Sequence, residues 1–281
     1  MSWLTWRQFR VSAAVATLAL AGMAILLATT HSGDAYLSHD HVLKFLGTLL
    51  VGVPALIGAF WGVPIVAGEL ESGTHRMVWT QSVTRTRWLA VKVALIGVAG
   101  MVMTGVLSFM LGAWSSTAIN ADRFGSAMFG QRGVAPIGYA AFGFALGVAA
   151  GIIIGRTLPA MATTLVAFLV ARIVVQSWVR PHFASPLTLS QGLTAENGAP
   201  IQPKPGVWVV SNNFFDSAGH LINNIRCGSD AQTCMAQYHQ VVSYHPAARY
   251  WTFQSYETAV FAGLSLVLIG LSFWWIRNRT S

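Results

Sequence analysis

The chain has 281 residues, of which 54% are hydrophobic and only 9% are charged. A soluble domain carries about 25% charged residues, so this composition excludes a water-exposed surface of ordinary polarity and predicts an integral membrane protein. The formal net charge of +8 at pH 7 does not indicate nucleic-acid binding, because the basic residues flank apolar segments, where anionic lipid is the better partner.

The N-terminal segment, residues 2–10, mixes tryptophan and phenylalanine with Arg7 and Arg10 at helical spacing. This pattern predicts a helix that lies in the membrane interface. An apolar run follows this helix, and five further apolar runs follow along the chain. Each of the six has about the 20 residues that a helix needs to cross a bilayer. The six predicted spans are residues 11–29, 45–67, 89–113, 134–154, 158–179 and 258–276. Because backbone groups in lipid must be bonded within their own segment, we expect an all-α membrane protein.

The distribution of Lys and Arg predicts the orientation of the spans. Basic residues are concentrated on one side, which therefore faces the cytoplasm together with both chain termini. That side holds Arg7, Arg10, Arg76, Arg85, Arg87, Lys92, Arg156, Arg277 and Arg279, whereas the opposite short loops hold Lys44, Arg123 and Arg132. The prediction divides the chain into residues 1–179 with five spans, an extracytoplasmic segment 180–257, and residues 258–281 with the last span.

The extracytoplasmic segment 180–257 contains too many aromatic residues for a disordered linker, so we expect a small folded cap. Both cysteines of the chain, Cys227 and Cys234, fall within it. An oxidising compartment favours a disulfide between them, although free thiols and a metal site with a histidine are the alternatives.

Two features lie inside the predicted spans. Glycines recur every four residues in the fourth span, which predicts close helix packing, with a sliding surface as the alternative. They are Gly143, Gly147, Gly151 and Gly155. In the fifth span, Arg172 is an intramembrane charge that needs a partner, for which Glu257 is a candidate. Snorkelling of Arg172 to the outer interface is the structural interpretation, and substrate contact is the functional one.

The segment of residues 68–92 joins the second and third predicted spans and has the composition of a helix at a membrane surface. It contains the pattern Glu69-x-Glu71-x-Gly73-Thr74, then Ser82-Val83-x-Arg85, then Lys92. This pattern resembles the loop between the second and third membrane helices of ABC-2 type (type V-like) bacterial exporter permeases. In that family the loop includes a coupling helix that docks on a separate ATPase subunit.

The resemblance implies a permease subunit in the bacterial plasma membrane that works as a homodimer, or as a heterodimer with a related permease. Cytoplasmic P-loop ATPase subunits would bind ATP and Mg²⁺ and drive efflux, so this chain would need no cofactor of its own. By matched position, Glu69, Glu71, Gly73, Thr74 and Arg85 are the candidate coupling residues. The hypothesis is that Glu71 and Arg85 hold the shape of the loop or pair with the ATPase.

Signals for enzymatic activity are weak. The sequence has no G-x-x-x-x-G-K-[ST] phosphate loop and no G-x-S-x-G nucleophile elbow, so we expect no ATPase site and no catalytic residue in this chain. Two alternatives remain open. One is a membrane sensor or resistance protein that binds an external ligand, and the other is a metal-dependent membrane enzyme. The latter would use the first outer loop, with His31, Asp34, His39, Asp40 and His41, where we expect no metal.

Overall fold

A computed structural model describes residues 2–30, 51–73, 84–114, 123–193, 206–222, 227 and 231–279. The chain forms two compact units. The first contains residues 1–114, 126–177 and 254–281, and the second contains residues 115–125 and 178–253.

The helices begin with α1, Ser2–Thr30. Next is α2, Val53–Glu71, in which two α-helical pieces, Val53–Ile57 and Pro64–Glu71, flank a π-helical turn, Gly58–Gly62. The others are α3, Arg85–Trp114; α4, Ser126–Phe129; α5, Ala135–Ile154; α6, Thr157–Val174; α7, Ala231–Met235; and α8, Tyr250–Arg279. A π-turn, Val175–Val179, and a 3₁₀ turn, Arg180–His182, continue α6.

Five of the described helical segments are long and apolar enough to cross a membrane, and they fall on the second to sixth predicted spans. They are Val53–Glu71, Arg85–Ala113, Ala135–Ile154, Thr157–His182 and Ala247–Asn278. In the first predicted span the structure has a shorter apolar stretch, Ala13–Thr29, within α1. The protein is therefore a mostly helical, multi-pass membrane protein.

The predicted boundary between an interfacial helix and the first span, at Arg10, is not a boundary in the structure. Residues 2–30 form one continuous helix. Neither glycine nor proline occurs before Gly22, so nothing in the sequence interrupts the backbone hydrogen bonds at Arg10.

The core of the helical unit is built around α5. Most of α5 is buried, and it packs against α2, α3 and α6. Large apolar side chains fill the space between α5 and its neighbours, including Trp88, Leu89 and Ile96 of α3 and Phe144 and Val148 of α5. A central helix that is buried on most faces has few polar side chains, and α5 contains no charged residue.

The second unit contains a four-stranded antiparallel sheet, so the expectation of an all-α fold is wrong for this part of the chain. The strands are β1, Leu187–Gly192; β2, Trp208–Asp216; β3, Leu221–Ile222; and β4, Tyr238–His245. Their order is β1-β4-β2-β3, and β2 pairs with β4 from Trp208 opposite His245 to Asp216 opposite Tyr238. Both β2 and β4 are rich in valine and aromatic residues, which favour strands.

An aromatic cluster forms the core of this unit. Phe253 packs edge-on against Trp208 and Phe124 and lies 4.9 Å from the ring of His245. His245 is fully buried, and its pKa is lowered because burial disfavours the imidazolium and Arg249 adds repulsion. The predicted disulfide is confirmed: Cys227 and Cys234 are bonded, with their Cα atoms 5.7 Å apart.

Candidate functional site

The candidate coupling residues begin at the C-terminal end of α2, which carries Glu69 and Glu71. Residues two apart on an α-helix lie about 200° apart around its axis, so the two carboxylates point to opposite sides. In the structure each one meets a different neighbouring helix.

Glu69 binds α3. Its Oε1 atom lies 2.5 Å from Nζ of Lys92, and its Oε2 atom accepts a hydrogen bond of 3.1 Å from the indole N–H of Trp88. Lys92 is buried, and its ammonium group also donates to the backbone carbonyl of Ile65 at 3.0 Å and lies 4.5 Å from the Trp88 ring centroid. These contacts compensate for the burial of a charge that is costly to bury alone. They fasten the end of α2 to the first two turns of α3.

Glu71 binds α6. One of its oxygens, Oε2, accepts hydrogen bonds from the backbone N–H of Thr157 at 2.9 Å and from the Thr157 hydroxyl at 2.7 Å. Thr157 is the first residue of α6, where backbone N–H groups have no partner within the helix. A carboxylate at this position also interacts favourably with the positive end of the helix dipole. Glu71 is therefore an N-terminal cap supplied by a different helix.

The remaining candidate coupling residues lie at the boundaries of the segment that follows α2. Gly73 has a φ of +72°, a left-handed conformation that favours glycine directly after a helix. Thr74 lies outside the described residues. Arg85 is the first residue of α3, where the hydroxyl of Thr84 accepts a hydrogen bond from the backbone N–H of Arg87 at 3.3 Å.

Three glycines of α5, Gly143, Gly147 and Gly151, face α2. A Cβ atom on Gly143 would overlap the carbonyl oxygen of Pro54, and one on Gly147 would overlap the carbonyl oxygen of Gly58. A Cβ atom on Gly151, the next glycine of the pattern, would lie 3.1 Å from the carbonyl oxygen of Val63. The backbones of α2 and α5 thus approach too closely for larger residues. The fourth member of the pattern, Gly155, has a φ of +67° and ends α5.

Arg172 lies in the interior of the helical unit and is only 5% exposed. Its guanidinium carbon lies 4.3 Å from the ring centroid of Tyr139 on α5. The hydroxyl of Tyr139 donates to the carboxylate of Glu257 on α8, and both side chains are fully buried. Arg172 and its candidate partner Glu257 are therefore linked through the same tyrosine.

The loop between α4 and α5 lies against this cluster. A Cβ atom on Gly130 would overlap the guanidinium of Arg172. Gln254 of α8 spans the loop, because its Nε2 atom donates to the Phe129 carbonyl at 2.9 Å and its Oε1 atom accepts from the Ala135 N–H at 2.8 Å. The hydroxyl of Ser108 on α3 donates to the carbonyl of Gly133 at 2.8 Å.

The sequence did not identify Thr157 or Trp88 as parts of a site. Thr157 follows Gly155-Arg156, and a glycine and a threonine around such a tight turn are a signal for a helix end and a new helix start. Trp88 lies four residues before Lys92, so the two side chains share one face of α3. Neither of these sequence features predicts which residue of another helix is the partner.

Among the described residues, no group of three or more His, Cys, Asp or Glu side chains is arranged to hold a metal ion. The histidines and aspartates of the first outer loop, residues 31–41, lie outside the described residues.

Comparison with known proteins supports the resemblance of the 68–92 segment. No curated protein and no solved structure matches the chain. A family model described as "ABC-2 membrane transporter related" matches residues 1–180, which include the first five predicted spans and the whole segment 68–92. The chain belongs to the ABC-2 membrane transporter related family.

Proposed function

We propose that this chain is the permease subunit of an ATP-driven exporter whose ATP is hydrolysed by a separate cytoplasmic P-loop subunit. The observation that carries the proposal is the arrangement of Glu69 and Glu71, at the start of the 68–92 segment. Through these two carboxylates the end of α2 binds α3 and α6. A force applied to the segment would therefore act on three membrane helices, α2, α3 and α6.

The proposed topology has six spans with both termini in the cytoplasm. In this arrangement the 68–92 segment and the first turn of α6 face the ATPase, and the unit that contains the sheet is extracytoplasmic. The disulfide between Cys227 and Cys234 supports this orientation, because disulfides persist in oxidising compartments outside the bacterial cytoplasm. Two copies of the chain, or this chain and a related permease, would form the complete transporter.

In the proposed cycle, ATP binding closes the ATPase subunits against the 68–92 segments of the two permease subunits. ATP binding can shift the permease from one conformation to another only to the extent that the ATPase binds these two permease conformations with different affinities. Because Glu69 and Glu71 already bond to α3 and α6, they stabilise the segment from within the permease. Arg85, at the start of α3, is the candidate for contact with the ATPase surface.

The first test is affinity purification of the full-length chain from mild detergent, with a P-loop ATPase detected in the eluate by its ATP hydrolysis and by mass spectrometry. We expect a stable complex. The variant Arg85→Glu should retain less ATPase, whereas Arg277→Glu, the same charge change near the end of α8, should retain the wild-type amount. Absence of any P-loop ATPase from the wild-type eluate would contradict the proposal.

The folded second unit supports a second candidate function, that of a membrane sensor or resistance protein that binds an external ligand. Its sheet and its aromatic core, which includes Phe124, Trp208 and Phe253, form a separate compact unit of the chain. A chain that bound no ATPase, yet was stabilised by an external peptide or drug, would favour this function over export.

A further inference from the structure

A side chain near each end of α6 contacts a neighbouring part of the helical unit. At its start, Thr157 is capped by Glu71 of α2. Fifteen residues further on, Arg172 reaches the loop between α4 and α5 at Gly130 and lies over Tyr139. At 1.5 Å per residue, the two contacts are about 22 Å apart along the helix axis.

The segment between these contacts is unusually uninterrupted. Among the described membrane helices, α6 is the one without glycine, and its single proline, Pro159, lies in the first turn, where proline is tolerated. By contrast, α2 contains a π-helical turn with two glycines, Gly58 and Gly62, and α5 contains Gly138, Gly143, Gly147 and Gly151. Sharp helix kinks occur mainly at proline, at Gly/Ser pairs and at π-bulges, and none of these lies between Pro159 and Arg172, so a displacement of Thr157 would be passed along α6 to Arg172.

Polar side chains of two other helices bond to the loop at the far end, residues 129–135. Gln254 of α8 bonds to both ends of the loop, at Phe129 and Ala135, and Ser108 of α3 bonds to Gly133. The loop also packs closely on this glutamine, because a Cβ atom on Gly133 would lie 2.8 Å from Oε1 of Gln254. Directional hydrogen bonds of this kind are lost when the helices that supply them separate, so the position of the loop depends on the positions of α3 and α8. From α6, the guanidinium of Arg172 packs against the loop at Gly130.

We propose that α6 couples the 68–92 segment to the loop 129–135, with Glu71 as the input contact and Arg172 as the positioning residue at the output. This inference rests on the proposed function, because it assigns the mechanical path by which the ATPase would open one end of the permease. In the proposed topology the loop lies at the outer end of the spans. Release of the loop would then accompany the exit of substrate.

Coupling between two sites is reciprocal, so loosening either end of α6 must loosen the other. The test is hydrogen–deuterium exchange of the full-length chain in lipid nanodiscs, without ATPase or substrate. In the variant Glu71→Ala we expect amide exchange to become about fivefold faster in the first turn of α6 and also in residues 129–135. The amide of Ala135 is the most informative reporter, because Gln254 protects it.

Ser72→Ala is the matched control. Ser72 neighbours Glu71, but its hydroxyl bonds within α2, to the carbonyl of Gly68 at 2.7 Å, so exchange in the loop should stay at the wild-type rate. The reverse experiment uses Arg172→Lys, which should speed exchange in the first turn of α6. If Glu71→Ala cannot be purified, Thr157→Val serves in its place, because it removes the hydrogen bond from the Thr157 hydroxyl to Glu71 and keeps the one from the backbone N–H.

Faster exchange in the first turn of α6 alone, with the loop unchanged, would overturn the proposal. An equal effect of Ser72→Ala on the loop would also overturn it, because the change would then be a general loosening of α2. The experiment needs no ATPase, so its outcome is independent of the affinity purification that tests the proposed function.

Discussion

At the scale of single residues, the two glutamates of the 68–92 segment show what the sequence reveals and what it leaves out. The spacing of Glu69 and Glu71 predicts that they face different sides of a helix, and the structure has each one on a different neighbour. Their partners could not be predicted, since Lys92 and Thr157 come from helices whose packing depends on the whole bundle. The family resemblance identified the segment as a coupling region, but it did not predict which residues the two carboxylates bind.

The pair of Glu69 and Lys92 leads to a prediction about stability. Replacing Lys92 removes the cation that balances the Glu69 carboxylate, whose side chain is 14% exposed, and breaking a buried ion pair in this way costs up to about 3–5 kcal/mol. We therefore expect Lys92→Met to lower the thermal unfolding midpoint in detergent strongly. The double variant Glu69→Gln with Lys92→Met should be more stable than Lys92→Met alone.

The double-mutant cycle measures the interaction between the two side chains directly. If the losses from Glu69→Gln and Lys92→Met simply add, the two residues do not act as a unit, and the account of how α2 is fastened to α3 is wrong.

At the scale of the elements, length and hydropathy located the second to sixth spans well, because a bilayer imposes a nearly fixed run of apolar residues. The glycine pattern of α5 predicted a close approach, but a stripe on one helix does not say which helix approaches. The structure identifies α2, through Pro54, Gly58 and Val63. The aromatic content of residues 180–257 predicts a folded cap but not its strands, since apolar and polar residues do not alternate strictly in Tyr238–His245.

The contact between α2 and α5 predicts the effect of adding one methyl group. In Gly147→Ala the new Cβ would overlap the carbonyl oxygen of Gly58, and overpacking of this kind costs about 1–3 kcal/mol. We expect a lower thermal midpoint and less monodisperse protein by size-exclusion chromatography.

The matched control is Gly263→Ala in α8, where a Cβ would meet nothing within 4 Å. Alanine has the higher helix propensity, so this variant should be as stable as the wild type or slightly more stable. Equal losses in the two variants would mean that α2 and α5 do not touch along this stripe.

At the scale of the whole molecule, the family match ends at residue 180, close to where the helical part of the chain gives way to the sheet. The first five predicted spans and the 68–92 segment therefore lie within the region shared with the family. The sheet and the disulfide lie beyond the match, and we expect them to carry what is particular to this protein, such as recognition at the outer surface.

In the proposed function, a separate ATPase drives the permease through the 68–92 segment. The most direct measurement is ATP hydrolysis by the purified complex in lipid nanodiscs, with wild type compared to the charge-reversal variant Glu71→Lys with Arg85→Glu. The account predicts a several-fold lower rate in the variant, with membrane insertion unchanged, and a wild-type rate for Arg277→Glu. A wild-type rate in the Glu71→Lys, Arg85→Glu variant would contradict it.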